Sequence, residues 1–283
     1  MTRHGGLLPG AALLAALLGA CEGGIADRQS PLAGNIIDDA EIGDLLLATG
    51  DPEEAVAYFR NALAEAPDRA DFRRGLARSL ARAKRWPEAA RVYAELESLG
   101  QAEPTDRLEH AMVAARLQRW DEVRTLVAAL PPGMNTARRH LIDAMLSDHE
   151  GDWAAADAAY ARAEALASDP ALLLNNWGVS LMSRGDFPAA ARMFERALAY
   201  DSRLFSAKNN LAIARGLTGD FQLPAVPMTE TEKAMILNNL GVIAERSGQI
   251  ELARGLFTAA VEAHPQHYAA AASRLDALEP AEF

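Results

Sequence analysis

Cysteine occurs once, at Cys21, so no disulfide can close within the chain and its fold must rest on packing. Aromatic residues make up only 6% of the sequence, and runs that alternate β-branched with polar residues, as a half-buried strand requires, are very few. No sheet is expected. Basic residues are also in short supply, with 28 Lys and Arg against 39 Asp and Glu and a formal charge of −11. A surface built to neutralise phosphates needs the opposite balance, so nucleic acid is not an expected partner. There is no Gly-x-Ser-x-Gly elbow and no phosphate loop, and His264 and His267 share a turn without a third zinc ligand. No catalytic residue, metal, cofactor or small-molecule substrate is expected.

What the chain has in abundance is Ala and Leu, with half of all residues hydrophobic, a composition of strong helix formers. Residues 1–20 read as an export signal: Arg3 and His4, an apolar run from Leu7 to Leu18, then small residues. That run is too short to span a bilayer, which takes about 20 apolar residues. Leu18, Gly19, Ala20 and Cys21 resemble the lipobox of bacterial lipoproteins. The resemblance implies acylation of Cys21 and membrane attachment through lipid. Glu22, in place of the Asp that retains such proteins in the inner membrane, implies the outer membrane, facing the periplasm. Residues 21–35, with several glycines, Ser30 and Pro31, then form the acylated cysteine and a flexible tether.

Residues 36–283 repeat. Trp86, Trp120, Trp153, Phe187 and Phe221 recur at intervals of 34 or 33. A second ladder has the same period: Phe59, Tyr93, Val127, Tyr160, Phe194 and Phe257 follow small residues at Ala55, Ala89, Val123, Ala156, Ala190 and Ala253. Trp177-Gly178, Gly185-Asp186-Phe187, Ala190, Phe194 and Ala197 make the clearest copy, which resembles the tetratricopeptide repeat. That resemblance implies an all-α, right-handed superhelical solenoid of about seven antiparallel helix pairs, each covering the bare face of the one before. Helix pairs are expected near 36–66, 70–99, 104–130, 136–167 and 171–200, then an incomplete sixth and a full seventh, with a capping helix at 266–278. The sixth is cut short at 222–228, where Pro224 and Pro227 cost about 3 kcal/mol each inside a helix. Thr229 or Thr231 then caps the next helix ahead of Glu232.

In such arrays the first helix of each pair lines the inner groove. Asn175, Asn209 and Asn238 fall there, beside Asn176, Asn210 and Asn239. An amide mid-helix either grips the backbone of an extended peptide or bonds helix to helix in a ladder. Arg74, Arg78 and Arg82 lie at i, i+4 and i+8 on the same face. They are neutralised by Asp44 and Glu109, or they receive the carboxylates of an acidic partner.

The lipobox, the array and the block from Pro227-Met228-Thr229-Glu230 through Asn238-Asn239-Leu240-Gly241 to His264-Pro265-Gln266-His267-Tyr268 together resemble the TadD lipoproteins of the tight-adherence (Flp) pilus. The likeness implies a non-enzymatic scaffold that binds protein partners, the pilus secretin or other Tad components among them. Of the family's functional positions only Cys21 carries over. A periplasmic adaptor for peptidoglycan hydrolases or proteases is the alternative.

Overall fold

The computed structural model describes residues 45–266 and 268–278. Among the described residues every regular element is an α-helix, and none is long and apolar enough to cross a membrane. Two compact units divide them at Leu166 and Ala167.

The first unit opens with helical residues 45–49 and continues with α1 (Pro52–Glu65), α2 (Ala70–Arg82), α3 (Trp86–Ser98), α4 (Pro104–Arg116), α5 (Trp120–Ala128), α6 (Ala137–Glu150) and α7 (Trp153–Leu166). The second holds α8 (Ala171–Ser183), α9 (Phe187–Tyr200), α10 (Phe205–Gly216), α11 (Glu230–Arg246), α12 (Ile250–Ala263) and α13 (Ala269–Leu278). Within a pair, the turn between helices is so short that the two must run antiparallel.

Each starting signal has a physical cause. Asp51 accepts hydrogen bonds from the Glu53 and Glu54 amides at 2.8 and 3.1 Å, and Asp186 accepts from the Ala189 amide at 3.0 Å. These carboxylates satisfy donors that a helix start leaves orphaned. Trp86, Trp120, Trp153 and Phe187 are each the first residue of a second helix, and their rings stay partly exposed.

The inner ladder is the core. Phe59, Tyr93, Val127, Tyr160, Phe194 and Phe257 are all buried, as are the small residues one turn before them, from Ala55 to Ala253. Sixteen positions earlier in the chain stands the small residue of the first helix: Ala77, Ala111, Ala144, Gly178 and Gly241 for the last five of these side chains, all buried. A Cβ on Gly178 would lie 2.5 Å from the Phe194 ring, and one on Gly241 would lie 2.6 Å from Phe257. Where the aromatic is Tyr, the small residue is Ala. Full burial of such a side chain stabilises by about 1.5–3 kcal/mol.

A third ladder sits in the turns. Lys84, Gln118, Gly151, Gly185, Gly219 and Gly248 all have positive φ, between 58° and 94°. The antiparallel reversal demands a left-handed residue there, which Gly adopts without strain and Lys84 and Gln118 do not.

The sixth pair makes this turn at Gly219 and then has no second helix: residues 220–229 carry no helix up to the start of α11. Phe221, Leu223, Val226 and Met228 from this stretch pack on the unit's cores in its place. Thr229 takes the cap of α11, accepting from the Glu232 amide at 3.1 Å while the Glu232 carboxylate accepts from the Thr229 amide at 2.9 Å. The last helix, α13, is tied back by the Arg254 guanidinium, which donates to the Leu278 carbonyl at 3.2 Å, and by Arg274 to Glu245 at 3.0 Å.

Because Lys84 and Gln118 hold φ of 58° where four other turns use Gly, Gln118→Gly is expected to stabilise the fold by about 0.5–1 kcal/mol, less the unfolded-state entropy that Gly adds. A rise in the urea midpoint checks this; a fall contradicts the strain argument.

Candidate functional site

The three arginines of α2 do three different jobs. Arg74 is largely buried and its Nε reaches both oxygens of Asp106 at 2.8 and 2.7 Å, with Glu103 at 3.0 Å from its Nη2. Asp106, 1% exposed, also accepts from the Glu103 amide at 3.0 Å, so one carboxylate starts α4 and ties it to α2. Arg82 donates to three carbonyls at the end of the preceding helix, those of Leu46, Leu47 and Gly50, at 2.8–2.9 Å. Arg78 keeps only a loose contact with Asp106, at 3.9 Å, and is 42% exposed.

Of the neutralising partners expected from sequence, Glu109 pairs with Arg138 at 2.9 Å while Arg78 acts on its carboxyl electrostatically, and Asp44 lies outside the described residues. The acids that meet Arg74 project from the start of α4, where capping requires a carboxylate, and sequence spacing on α2 alone does not locate them.

The asparagines form the ladder. The Asn210 amide donates to Asn175 Oδ1 at 3.2 Å, and the Asn239 amide donates to Asn209 Oδ1 at 2.7 Å. Each rung joins the first asparagine of one first-helix to the second asparagine of the next, so the pairing is offset by one residue. Asn175 and Asn209 are 7% exposed, facing neighbouring helices. Asn238 is the end of the series: its Oδ1 is buried with no donor. A parallel device appears beside it, where Lys208, 3% exposed, reaches the Glu232 cap carboxylate at 3.0 Å, as Arg74 reaches Asp106. Sequence reasoning missed Lys208, although a cap acid three residues past Thr229 was the available signal.

Two further buried polar groups were not read as sites from sequence. His110 is buried between carboxylates, with Nε2 at 3.1 Å from Glu122 and Nδ1 at 3.7 Å from Glu97, and its ring stacks on Tyr93 at 5.8 Å between centroids. Arg107 and Arg119 hold those two glutamates from the far side. Burial pulls the imidazole below its usual value, against the weaker upward pull of Glu122 and Glu97. Tyr160 donates to Asp148 at 2.8 Å, but the Tyr93 hydroxyl is buried without a partner. Burial, with the nearby Glu109 charge, raises the Tyr93 phenol well above its ordinary range.

Arg78, Arg82, Tyr93, Glu109, Arg116 and Arg138 line a cleft of about 710 Å³ in the first unit, with Leu47, Trp86, Met112 and Val113 as apolar lining. Burial raises the Glu109 carboxyl above its ordinary value. Among the described residues no group of three or more His, Cys, Asp or Glu side chains is arranged to hold a metal. His264 stacks on Tyr268, while His267 and Cys21 lie outside the described residues.

A family profile for the tetratricopeptide repeat matches residues 41–104 and 175–223. Over those residues the chain resembles the tetratricopeptide repeat. The repeat's fold is shared with solved structures of low identity. The APC/C hetero-tetramer Cut9–Hcn1 superimposes with TM-score 0.58 at 16% identity, over 86% of this chain and 49% of that one, so this chain spans about half its length. A repeat protein from Parabacteroides merdae gives 0.55 at 14% identity, over 85% and 97% of the two chains. A thermophilic repeat protein from Thermus thermophilus gives 0.53 at 18%, over 62% and 97%. Such identities speak for the fold alone. No curated protein matches the sequence. Tetratricopeptide arrays are typically non-catalytic scaffolds for protein–protein interaction, and every ladder described above is spent on packing helices together.

His110 is accommodated as the neutral ring, so its contribution is present above the free-imidazole value of about 6.5 and is lost as the pH falls below it. His110→Gln is expected to flatten the loss of Tm between about pH 7 and pH 5 in thermal unfolding. Wild-type and variant curves that stay parallel contradict this.

Proposed function

We propose that the protein is a lipid-anchored scaffold on the periplasmic face of the outer membrane that binds protein partners and helps the secretin of a tight-adherence (Flp) pilus to assemble. The observation that supports a scaffold is the register itself. From Ala55 to Ala260 the buried small and aromatic positions serve the stacking of helices. The cleft beside α2 and α4 offers charged and apolar side chains to a partner without a nucleophile–base pair.

The anchor and the pilus role rest on sequence resemblance: Leu18-Gly19-Ala20-Cys21 for lipidation, and residues 227–268 for the pilus lipoproteins. An acylated Cys21 carries several chains, enough for stable attachment where one chain gives only reversible binding. The protein's part in assembly is then to hold partners near the membrane, with no chemistry of its own.

Affinity capture from detergent-solubilised envelopes tests both levels. The full chain is expected to recover a secretin, and Cys21→Ser to move the protein from the membrane fraction to the soluble periplasm. Recovery of a peptidoglycan hydrolase with no secretin contradicts the pilus role, and recovery of no protein contradicts the scaffold.

A further inference from the structure

The cleft of the first unit reverses the sign of the chain. Four guanidiniums, those of Arg78, Arg82, Arg116 and Arg138, line it against the single carboxylate of Glu109, in a protein whose formal charge is −11. Two of the four are already engaged. Arg82 is spent on three carbonyls, and Arg138 on Glu109 at 2.9 Å.

The other two are open. Arg78 is 3.9 Å from a carboxylate that Arg74 already occupies at 2.7 Å, and Arg116 is exposed with no ion pair among the described residues. Like charges converging on one cleft repel, and among the described residues the one acid lining it is Glu109, which Arg138 already holds. Met112 and Trp86 lie on the same lining, so the cleft offers cations and apolar surface together. About 710 Å³ holds a few residues of extended chain and no folded domain.

We propose that this cleft receives an extended acidic segment of a protein partner, whose carboxylates meet Arg78 and Arg116 and whose apolar side chains rest on Met112 and Trp86. Guanidinium and carboxylate match as a two-pronged, charge-assisted pair, which gives the segment a fixed register. A nucleic acid does not fit the same cleft. Its continuous run of phosphates would be carried past Glu109 and across an otherwise acidic protein. The proposal rests on the scaffold reading and adds to it the chemistry of the partner.

The test is fluorescence anisotropy with the full chain in detergent and a fluorescein-labelled peptide of alternating Glu and Leu; a peptide of alternating Lys and Leu is the control. Arg78→Gln with Arg116→Gln removes the two open charges and leaves Arg74 and Arg82, which hold the helices together, in place. The wild type is expected to bind the acidic peptide and not the basic one. The double variant should bind it about tenfold or more weakly, as the loss of a charge-assisted bond implies. Glu109→Gln, which releases Arg138, should tighten it, and added salt should weaken it.

Equal binding by the double variant, equal binding of the basic peptide, or no binding by the wild type overturns the proposal. So does a wild-type dimer that the double variant dissociates and the acidic peptide does not, because the occupant is then a second copy. Envelope capture by the double variant separates the two levels. Partners recovered undiminished overturn the acidic cleft alone, whereas a wild type that recovers none overturns the scaffold reading.

Discussion

The contact on which the structure depends is that of an aromatic ring in the second helix of a pair against a residue of the first helix too small to keep it away. Phe194 fits against Gly178 because Gly178 has no Cβ, and a methyl there would stand 2.5 Å from the ring. Phe257 and Gly241 repeat the arrangement, and with Tyr93 or Tyr160 in the ring position an alanine suffices. Close approach explains the alanine-rich composition, the low aromatic content and the stability of a fold without disulfides. One large buried side chain per complete pair, a ring in all but the third where it is Val127, is enough when backbones lie close around it.

Charge is arranged around that packing. Where one pair meets the next, a cation of one first-helix reaches the cap carboxylate of the following first-helix: Arg74 to Asp106 in the first unit, Lys208 to Glu232 in the second. Breaking either pair would strand a buried charge, so these residues belong to the architecture. Arg78 and Arg116 are conspicuous because their neighbours on the same helices are committed.

The fold was legible because packing constraints recur at fixed spacing. The 34-residue register located the buried positions, and the prolines after Phe221 located the missing helix. What it could not supply was the partner of a long polar side chain. Arg74 and Asp106 are 32 residues apart on different helices, and spacing along α2 says only which face an arginine shares. The asparagines show the same limit at finer scale. Their recurrence marked a ladder or a peptide grip, but the one-residue offset, Asn210 to Asn175 and Asn239 to Asn209, comes from how successive helices are staggered. His110 was not read as a site because it occupies an ordinary core position in the least regular repeat. Only the approach of Glu97 and Glu122 from two other helices sets it apart.

A double-mutant cycle of Gly178→Ala and Phe194→Leu measures the central contact directly. If the ring is what forbids a Cβ at position 178, Gly178→Ala costs about 1–3 kcal/mol with Phe194 present and close to nothing once Phe194 is Leu. Costs that simply add would show that the two residues do not constrain each other, and the packing rule advanced for the whole array would be wrong.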